Sequence, residues 1–498
     1  MASVMEMTID RIIHKVKENS PEADVDLLRL AYDFANEAHK GQKRKTGEPY
    51  IQHSLHTSFL LAQIKADLET VIAGILHDVP EDTERTLEDV EKEFGKEVGF
   101  LVEGITKLSK IKYRGVDRYN ESLRKMFLAM AQDLRVILIK FADRLHNLRT
   151  LEGLPDKKRA RIARETLEIY APIAGLLGIW RFKWQLEDLC FKHLYPEEFK
   201  KLEYKYEVEQ RVERNQYIQK IKKELGKKLK DEGVEEFEIL GRFKHLYSIY
   251  KKMQIKNRRF DEIFDVFALR VVVPNISDCY RVLGIIHELW RPKSSRFKDY
   301  IAVPKPNGYR SLHTTVFGPG GKATEFQIRT TEMNDEAFYG IAAHWYYKKG
   351  GSAKSPKENQ PKWVKEILNT QKDALDSNEF IQKIKIDIFQ KRKFIFSPKG
   401  DVFDLPEGST PIDFAYAVHT EIGNHATGAL VNNTMSSLDR ELKNGDMVEI
   451  IIDKKRKGPN KAWLKFVKTG RAKDKINQAL KNSSHFENIK KLIPYTKK

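Results

Sequence analysis

Histidine and carboxylate side chains recur early in the chain in a pattern suited to binding a metal ion. A lone histidine, His53, is followed by the adjacent pair His77 and Asp78 and, far downstream, by Asp143. Two imidazoles and two carboxylates form a mixed nitrogen and oxygen ligand set that suits Mn²⁺, Fe²⁺ or Zn²⁺ and leaves positions for water and substrate. Each residue alone would more often be an ordinary packed or surface residue, but the ordered set predicts a metal site.

Two further acids, Glu81 and Asp82, are placed to handle protons beside such a metal. On one continuous helix they would lie one turn after His77 and Asp78, so that each pair would project from one face. There they could exchange protons with a metal-bound water. Pro80 lies between the pairs, and proline is tolerated only in the first turn of a helix.

A second concentration of charged residues, within 242–330, predicts nucleotide chemistry. Asp265 and Glu325 fall on predicted neighbouring strands, where two carboxylates could hold one Mg²⁺ against a triphosphate. Gln327 follows Glu325 by two positions on a strand and therefore shares its face. Basic and aromatic residues around them can neutralise phosphates and stack on purine rings. These residues are Arg242, Lys244, Lys251, Lys252, Arg270, Lys305, Asn307, Tyr309 and His313.

Motifs and charge narrow the class of nucleotide protein. Neither GxxxxGK[ST] nor GxGxxG occurs, which excludes P-loop NTPases, protein kinases and Rossmann enzymes. The 498 residues include 89 Lys and Arg against 71 Asp and Glu, a formal net charge of +18. This excess favours polyanionic partners. Residues 454–473 are the most basic stretch and contain no acid.

The elements that must position these residues predict a multidomain chain. Apolar residues recur at helical spacing through 1–195, which predicts an all-α domain for the first cluster. Strands alternating with helices in 196–349, behind a charged helical connector, predict an α+β domain with a mixed sheet. We expect a flexible loop and linker helix in 350–390, a small β-grasp-like domain in 391–455, and a basic segment leading into a further helical region in 456–498.

Composition also bears on the compartment. The two cysteines, Cys190 and Cys279, are isolated, which excludes a disulfide scaffold and a cysteine-based zinc site and favours a reducing environment. The N-terminus has no apolar stretch typical of a secretory signal. No apolar run approaches the roughly 18 residues of a transmembrane helix. We therefore expect a cytoplasmic protein with no membrane partner.

Several long stretches carry a family resemblance. They are GQKRKTGEPYIQHS (41–54), HDVPEDT (77–83), FADRLHNLRT (141–150), GRFKHLYSIYKKM (241–253), RFKD (296–299), YIAVPKPNGYRSLHTTVFGPGG (300–321), EFQIRT (325–330) and AAHWYYK (342–348). The order H…HD…D is similar to that of HD phosphohydrolases, and the stretches together closely resemble the long Rel/SpoT homologues. Those bifunctional enzymes make and degrade guanosine tetra- and pentaphosphate, (p)ppGpp. The resemblance implies a helical HD hydrolase domain, a nucleotidyltransferase-like synthetase domain and a β-grasp TGS domain.

For the hydrolase domain, the resemblance implies an Mn²⁺ ion held by four ligands. Two acids would activate the water that removes the 3′-pyrophosphate of (p)ppGpp, and basic and polar residues would hold the guanine nucleotide. The implied metal ligands are His53, His77, Asp78 and Asp143, the acids are Glu81 and Asp82, and the nucleotide contacts are Arg44, Lys45, Asn147 and Thr150.

For the synthetase domain, the resemblance implies transfer of pyrophosphate from ATP to the 3′-hydroxyl of GDP or GTP. Arg242 and Arg270 would sandwich the adenine, and Tyr309 would stack on guanine. Asp265 and Glu325 would hold Mg²⁺, and Glu325 would also serve as the base. The other implied nucleotide contacts are Lys244, Ser248, Lys252, Arg296, Lys298, Lys305, Asn307, His313 and Gln327.

The resemblance also implies partners for a full-length form, namely the ribosome and deacylated tRNA. His419, near the end of a helix predicted over 411–421, would contact the 3′-CCA end, and the basic run 454–473 would add affinity through phosphates. Long family members continue through further regulatory domains, so we expect the 498 residues to be a truncated or reduced form.

Two other functions stay open on the sequence. A synthetase with a relic HD domain is expected to lack at least one of the six implied ligands and acids, and all six are present. An RNA-binding ribosome factor that only senses nucleotides fits the basic run but does not need two complete sets of acids. Pyrophosphate transfer from ATP to GDP would separate the alternatives.

Overall fold

The computed structural model describes residues 6–109, 129, 132–209, 211–241, 245–256, 267–305, 308–340, 392–399, 401–443, 445–453, 455, 456 and 458–480. The described residues up to 340 belong to one unit and those from 392 to a second. In this part of the chain, no helix has both the length and the apolar character needed to cross a lipid bilayer. Outside it lie the predicted loop and linker helix 350–390 and the predicted site residues Arg242, Lys244, Asp265 and Asn307.

Helices make up the first unit as far as residue 231, as the apolar spacing predicts. They are α1 (Ile9–Asn19), α2 (Val25–Ala38), α3 (Ile51–Gln63), α4 (Leu68–Leu76), α5 (Val79–Asp82), α6 (Leu87–Ser109), α7 (Leu134–Arg149), α8 (Asp156–Glu165), α9 (Ala171–Leu176), α10 (Trp180–Leu194), α11 (Pro196–Glu203) and α12 (Arg211–Asp231). Two π-helical segments, Thr166–Tyr170 and Tyr204–Glu209, precede α9 and α12.

Helices α3, α4 and α7 pack together at the centre of this region. All seven residues of α4 from Thr70 to Leu76 are buried, and so are 13 residues of α7. A helix that is apolar on nearly all sides must be covered on all sides. Because α7 is enclosed, its polar residues Lys140, Asp143 and His146 are buried as well, and buried polar groups require polar partners.

A five-stranded mixed sheet follows the helices. Its strands are β1 (Glu238–Gly241), β2 (Phe267–Val273), β3 (Lys298–Asp299), β4 (Leu312–Phe317) and β5 (Ala323–Thr330), in the order β1-β2-β5-β4-β3. Strands β2 and β5 are parallel, and the other pairs are antiparallel. Three helices accompany the sheet: α13 (Leu246–Lys256), α14 (Ile276–Leu289) and α15 (Thr331–Tyr339). The predicted α+β domain with a mixed sheet is confirmed.

Alternation along the strands gives this sheet two unlike faces. Leu269, Val271, Phe326 and Ile328 are buried in one core with apolar residues of α12 and α14. Successive side chains on a strand point to opposite faces, so the residues between them, including Arg270 and Glu325, lie on the other face. Strands β4 and β5 form a hairpin, joined by a turn in which Gly320 and Gly321 have positive φ angles of 69° and 71°, a conformation that glycine adopts at no steric cost.

The helical region contacts the mixed-sheet region through α10 and through Lys65, which lies just after α3. Asp188 of α10 accepts a hydrogen bond from the backbone N–H of Tyr247 (2.9 Å) at the start of α13, and burial raises the pKa of its carboxyl group to about 6. Trp184 stacks on His245 with ring centres 4.3 Å apart. Lys65, which follows α3, forms an ion pair with Asp335 of α15 at 3.0 Å. The two regions are therefore packed into one unit.

The second unit is a small β-grasp fold. It contains β6 (Arg392–Phe396), β7 (Val402–Pro406), α16 (Pro411–Val418), α17 (Thr420–His425), β8 (Ala426–Val431), β9 (Thr434–Ser436) and β10 (Val448–Ile452). Strands β6 and β7 form a hairpin, and β10, β8 and β9 form an antiparallel sheet. The β-grasp prediction is confirmed, but the helix predicted over 411–421 ends at 418 because His419 has an extended backbone (φ −160°, ψ 146°).

Buried residues of the basic segment after residue 455 pack against the first helix of the β-grasp fold. Trp463, Val467 and Ile476 are buried in one core with Ile412 and Tyr416 of α16. The density of lysines in this stretch hides its apolar spacing, because long basic side chains can cover an apolar core while their charged ends stay in water. The β-grasp core therefore continues into the basic segment.

A buried carboxylate, Asp413, ties the basic segment to the start of α16. One oxygen accepts hydrogen bonds from the N–H and hydroxyl of Thr410, both at 2.9 Å. The other accepts from the N–H of Lys468 (2.9 Å) and from the N–H and hydroxyl of Thr469 (2.8 and 2.9 Å). Five donors therefore depend on one side chain that is fully buried.

We predict that Asp413→Ala destabilises the second unit by at least about 3 kcal/mol, because it leaves several donors without an acceptor. The measurement is the calorimetric unfolding profile of the whole chain, compared with Asp439→Ala at an exposed position in the same unit. Equal unfolding midpoints for the two variants would contradict this role of Asp413.

Candidate metal and nucleotide sites

Three of the four predicted metal ligands converge in the helical region. Nitrogen or oxygen atoms of His53 (α3), His77 (after α4) and Asp143 (α7) all lie within 4.8 Å of one another, and all three residues are buried. Nε2 of His53 is 3.4 Å from Oδ1 of Asp143. The fourth, Asp78, borders the same group, because its Oδ2 is 3.4 Å from Nε2 of His53 and 3.2 Å from Nε2 of His77.

A backbone contact sets the orientation of His77. Its Nδ1 lies 2.9 Å from the carbonyl oxygen of Gly74, and since a carbonyl only accepts, Nδ1 carries a proton and donates it. The buried Nε2 makes no hydrogen bond among the described residues, despite its closeness to Asp78. This is the arrangement of a histidine that ligates metal through Nε2 while a backbone carbonyl fixes its ring.

Opposing charges hold the carboxylates of the site ionised. Burial by itself would raise the pKa of Asp143, but Lys140, with Nζ 2.8 Å from Oδ2 of Asp143, and His53 together move it well below its usual range. For His77, burial would lower the pKa, but the carboxylate of Asp78 outweighs burial and raises the pKa to about 9. The negative charge of Asp78, which favours a proton on His77, would equally favour a metal cation bound at this site.

The site therefore fits a divalent metal ion. Donor atoms around one ion at about 2.0–2.2 Å are separated by roughly 3–4 Å, close to the distances found among these residues. A buried imidazole nitrogen without a hydrogen bond is also the group that a metal would satisfy. Imidazole and carboxylate donors together suit several first-row divalent metals.

The two acids that follow the His-Asp pair lie on a short helix of their own. Helix α4 ends at Leu76 and the short α5 begins at Val79, so the helical segment is interrupted at His77 and Asp78. Pro80 explains the break: it cannot donate to the preceding turn, and it is accommodated in the first turn of a new helix.

Asp78 and Asp82 nevertheless face the same side, because one hydroxyl bridges them. The hydroxyl of Tyr50 lies 2.8 Å from Oδ2 of Asp78 and 2.7 Å from Oδ2 of Asp82. Burial, followed by the charge of Asp78, raises the pKa of Tyr50, so the hydroxyl stays a donor. Asp82 is exposed and Glu81 is half-buried, which leaves the outer acid open to solvent.

Three of the four predicted nucleotide contacts of the hydrolase form one network next to the metal ligands. The guanidinium group of Arg44 donates to Oδ1 of Asn147 (2.5 Å) and to Oγ1 of Thr150 (3.2 Å). The amide of Asn147 in turn donates to Oδ1 of Asp143. Lys45, the fourth, is exposed. The network joins residues about a hundred positions apart in the sequence.

The polar face of the mixed sheet carries half of the predicted synthetase residues that the structure describes. Arg270 on β2 lies beside Gln327 on β5, Gln327 beside His313 on β4, and His313 beside Lys298 on β3. Directly paired residues point to the same face, so these four form one row across the sheet. The amide of Gln327 donates to Oε1 of Glu325 (3.2 Å), and Nδ1 of His313 lies 3.7 Å from the same oxygen.

The predicted guanine platform is covered. The ring of Tyr309 is only 9 % exposed, and the Lys305 ammonium group lies 4.8 Å from its centre. The phenol oxygen of Tyr309 is 2.9 Å from Nε2 of His313, and the ring of Trp180, from the helical region, is 6.5 Å away at 72°. The Lys305 ammonium group therefore lies over the ring on which the base is predicted to stack.

Other predicted contacts are distributed around the sheet. The guanidinium of Arg270 donates to Oδ1 of Asn334 (3.5 Å) and lies over the ring of Phe338, both on α15. Ser248 and Lys252 are half-buried and four residues apart on α13, so they share one face. Arg296, like Lys298, is exposed.

In the second unit, His419 is exposed between α16 and α17. Its Nδ1 accepts a hydrogen bond from the backbone N–H of Glu421 at 3.3 Å, so it also caps α17. The exposure suits contact with a partner, whereas the cap is a structural role that the sequence reasoning missed.

Three further residues at the metal site escaped the sequence reasoning: Tyr50, Lys140 and His146. Lys140 and His146 lie three positions before and after Asp143 on α7, a spacing that places all three on one side of a helix. That spacing was a usable signal. No comparable signal existed for Tyr50, because its partners Asp78 and Asp82 are remote in sequence.

Models of known domain families match three parts of the chain. Residues 31–180 match the HD domain, 241–352 match the region found in RelA/SpoT proteins, and 393–452 match the TGS domain. The order agrees with that implied by the resemblance.

Curated relatives align with nearly the whole chain. The bifunctional (p)ppGpp synthase/hydrolase SpoT of Escherichia coli is 47% identical over 471 residues, covering 94% of this chain and 67% of the relative. A guanosine-3′,5′-bis(diphosphate) 3′-pyrophosphohydrolase of Aquifex aeolicus is 46% identical, covering 97% and 68%. A probable enzyme of the same name from Synechocystis is 47% identical, covering 93% and 61%.

The chain spans about three fifths to two thirds of the length of these relatives. The alignment with each of them includes most of the 498 residues, and the domain matches occur in the same order as the helical region, the mixed sheet and the β-grasp fold. This chain belongs to the RelA/SpoT family.

Proposed function

We propose that this chain is a bifunctional enzyme of guanosine polyphosphate metabolism. One activity transfers pyrophosphate from ATP to the 3′-hydroxyl of GDP or GTP, and the other hydrolyses (p)ppGpp to GDP or GTP and pyrophosphate. The observation that carries the proposal is that one unit contains both the buried group of possible metal ligands His53, His77 and Asp143 and, separately, the polar face of the mixed sheet. The similarity to SpoT of Escherichia coli, a bifunctional (p)ppGpp synthase/hydrolase, supports both activities.

For hydrolysis, we assign metal binding to His53, His77 and Asp143 together with Asp78. When bound, an ion such as Mn²⁺ would lower the pKa of water and polarise the phosphate. The side chains of Glu81 and Asp82 would accept the proton of the attacking water and return it to the leaving oxygen. Tyr50 supports this role because its hydroxyl holds Asp82 in place.

Substrate positioning in the hydrolase falls to the Arg44 network. The guanidinium group is already oriented by Asn147 and Thr150, so little side-chain freedom would be lost when it contacts a nucleotide. Lys45 would add a mobile positive charge for a phosphate. Because Asn147 also contacts Asp143, nucleotide and metal would be held by linked groups.

For synthesis, we assign Glu325 as the base that removes the proton from the 3′-hydroxyl of GDP or GTP. The neighbouring amide of Gln327 orients its carboxylate. Mg²⁺, when bound, would neutralise the phosphates of ATP; Asp265, outside the described residues, is assigned to it with Glu325. Arg270, Lys298 and the other basic residues of this face would bind phosphates and bases.

The two alternative functions receive less support. A synthetase with a relic hydrolase does not account for the convergence of buried histidine and carboxylate donors. A factor that only senses nucleotides does not account for the carboxylate of Glu325, which lies beside the row of polar side chains on the sheet and accepts a hydrogen bond from Gln327. We further propose a cytoplasmic location, since both cysteines are free and buried.

We predict that His77→Asn abolishes Mn²⁺-dependent hydrolysis of (p)ppGpp. The asparagine amide can keep the hydrogen bond to Gly74 but supplies no nitrogen at the Nε2 position, so one metal ligand is lost while the helix end is kept. Released pyrophosphate is the measurement, with His14→Asn, at an exposed histidine, as the matched control. Hydrolysis at the wild-type rate in His77→Asn would refute the assignment, and synthesis should be unchanged.

We predict that Glu325→Gln reduces synthesis of (p)ppGpp by about 10²–10⁴-fold, since an amide cannot accept the proton. Hydrolysis should stay at the wild-type rate because its ligands lie on other elements. The matched control is Glu332→Gln, an exposed glutamate at the start of α15. Synthesis that survives in Glu325→Gln would remove this residue from the role of base.

We also propose that the second unit contacts the 3′ end of deacylated tRNA, as part of ribosome binding by a full-length form. Its support is the exposed imidazole of His419 and the many lysines between 455 and 475. Phosphate contacts would make the affinity strongly dependent on salt, and the imidazole would stack on or hydrogen-bond to an unpaired base.

For this contact we predict that His419→Asn weakens binding of deacylated tRNA by about 5- to 150-fold, since stacking on one base is worth about 1–3 kcal/mol. Asparagine preserves the cap on α17 because it is among the preferred N-cap residues. Filter binding at several salt concentrations would show lower affinity with an unchanged salt slope. Unchanged affinity would mean that His419 serves only as a helix cap.

A further inference from the structure

His146 is a buried histidine whose imidazole directly contacts His53, one of the proposed metal ligands. It is 4 % exposed, and its Nδ1 lies 2.7 Å from Nδ1 of His53. The same Nδ1 lies 3.1 Å from Nη1 of Arg44. Nδ1 of His146 is therefore close both to His53, a proposed metal ligand, and to Arg44, a proposed nucleotide contact.

The identity of the groups decides where the protons lie. A guanidinium group only donates, so Nδ1 of His146 is an acceptor. Two lone pairs facing each other at 2.7 Å would repel, so Nδ1 of His53 must be the donor. With the Nδ1 proton of His53 donated to His146, Nε2 of His53 is the ring nitrogen that faces Asp78 and Asp143, on the side where a bound metal would be ligated.

We propose that His146 is a positioning residue that fixes the ring and tautomer of His53 for metal binding through Nε2. The inference rests on the proposed hydrolase function, whose metal site it deepens. His146 replaces the carbonyl or carboxylate that more often accepts a hydrogen bond from a metal-ligating histidine. Arg44 completes this arrangement, because its guanidinium group can only donate and so keeps Nδ1 of His146 an acceptor.

This arrangement connects substrate binding with metal binding. Arg44 holds His146 through one nitrogen and Asn147 and Thr150 through the same guanidinium group. A nucleotide phosphate that drew Arg44 toward itself would loosen the restraint on His146.

The test compares Mn²⁺ affinity in the full chain by titration calorimetry, with Mn²⁺ alone as the probe. His146→Leu removes the acceptor and is expected to weaken Mn²⁺ binding about 10–100-fold, the usual effect of losing such a partner. His146→Asn places an amide oxygen near the Nδ1 position and is expected to stay within about threefold of wild type. The matched control is His56→Leu, which removes an imidazole stacked on His146 with ring centres 4.8 Å apart.

A second readout separates positioning from catalysis. Excess Mn²⁺ should restore hydrolysis in His146→Leu, because the ligands and acids are all retained, whereas synthesis should be unchanged throughout and reports on folding. Wild-type Mn²⁺ affinity in His146→Leu would overturn the proposal, as would equal losses in His146→Asn and His146→Leu. If the chain bound Mn²⁺ with the expected ranking but hydrolysed no (p)ppGpp, the proposed function would fail and the role of His146 would stand.

Discussion

The structure of the helical region depends on one constraint, the enclosure of charged groups within helix α7. Asp143 is buried among apolar helices, and an isolated buried carboxylate is far too costly to persist. It persists because Lys140, Asn147 and His53 surround it. Each of these partners needs its own partner in turn, so the requirement spreads outward to His146, Arg44 and Thr150.

A different constraint organises the mixed sheet. Side chains alternate between the two faces of every strand, and one face is committed to the core with α12 and α14. The other face is thereby left for Arg270, Gln327, His313 and Lys298, which the register aligns in one row. Burial of the first face fixes the register, so the core indirectly sets the distances among the polar residues.

The two constraints meet where the regions pack. Trp180 starts helix α10 and approaches Tyr309, and Lys65 after α3 holds Asp335 of α15. Helix α15 also contacts Arg270 through Asn334 and Phe338. The elements that carry the two candidate sites are thus in direct contact. A displacement of α15 would change its contacts both with Lys65 and with Arg270.

The sequence by itself determined the fold class, the strands and hairpin of the sheet, and the residue types of both candidate sites, because periodicity and spaced motifs are local properties. Tertiary structure decided the bridge from Tyr50 to two acids, the cover on Tyr309 and the extension of the β-grasp core past residue 455. Each of these depends on contacts between residues far apart in the chain or on which of two local preferences packing favours. The proton on His53 is the clearest case, since it follows from a guanidinium and an imidazole supplied by two other segments.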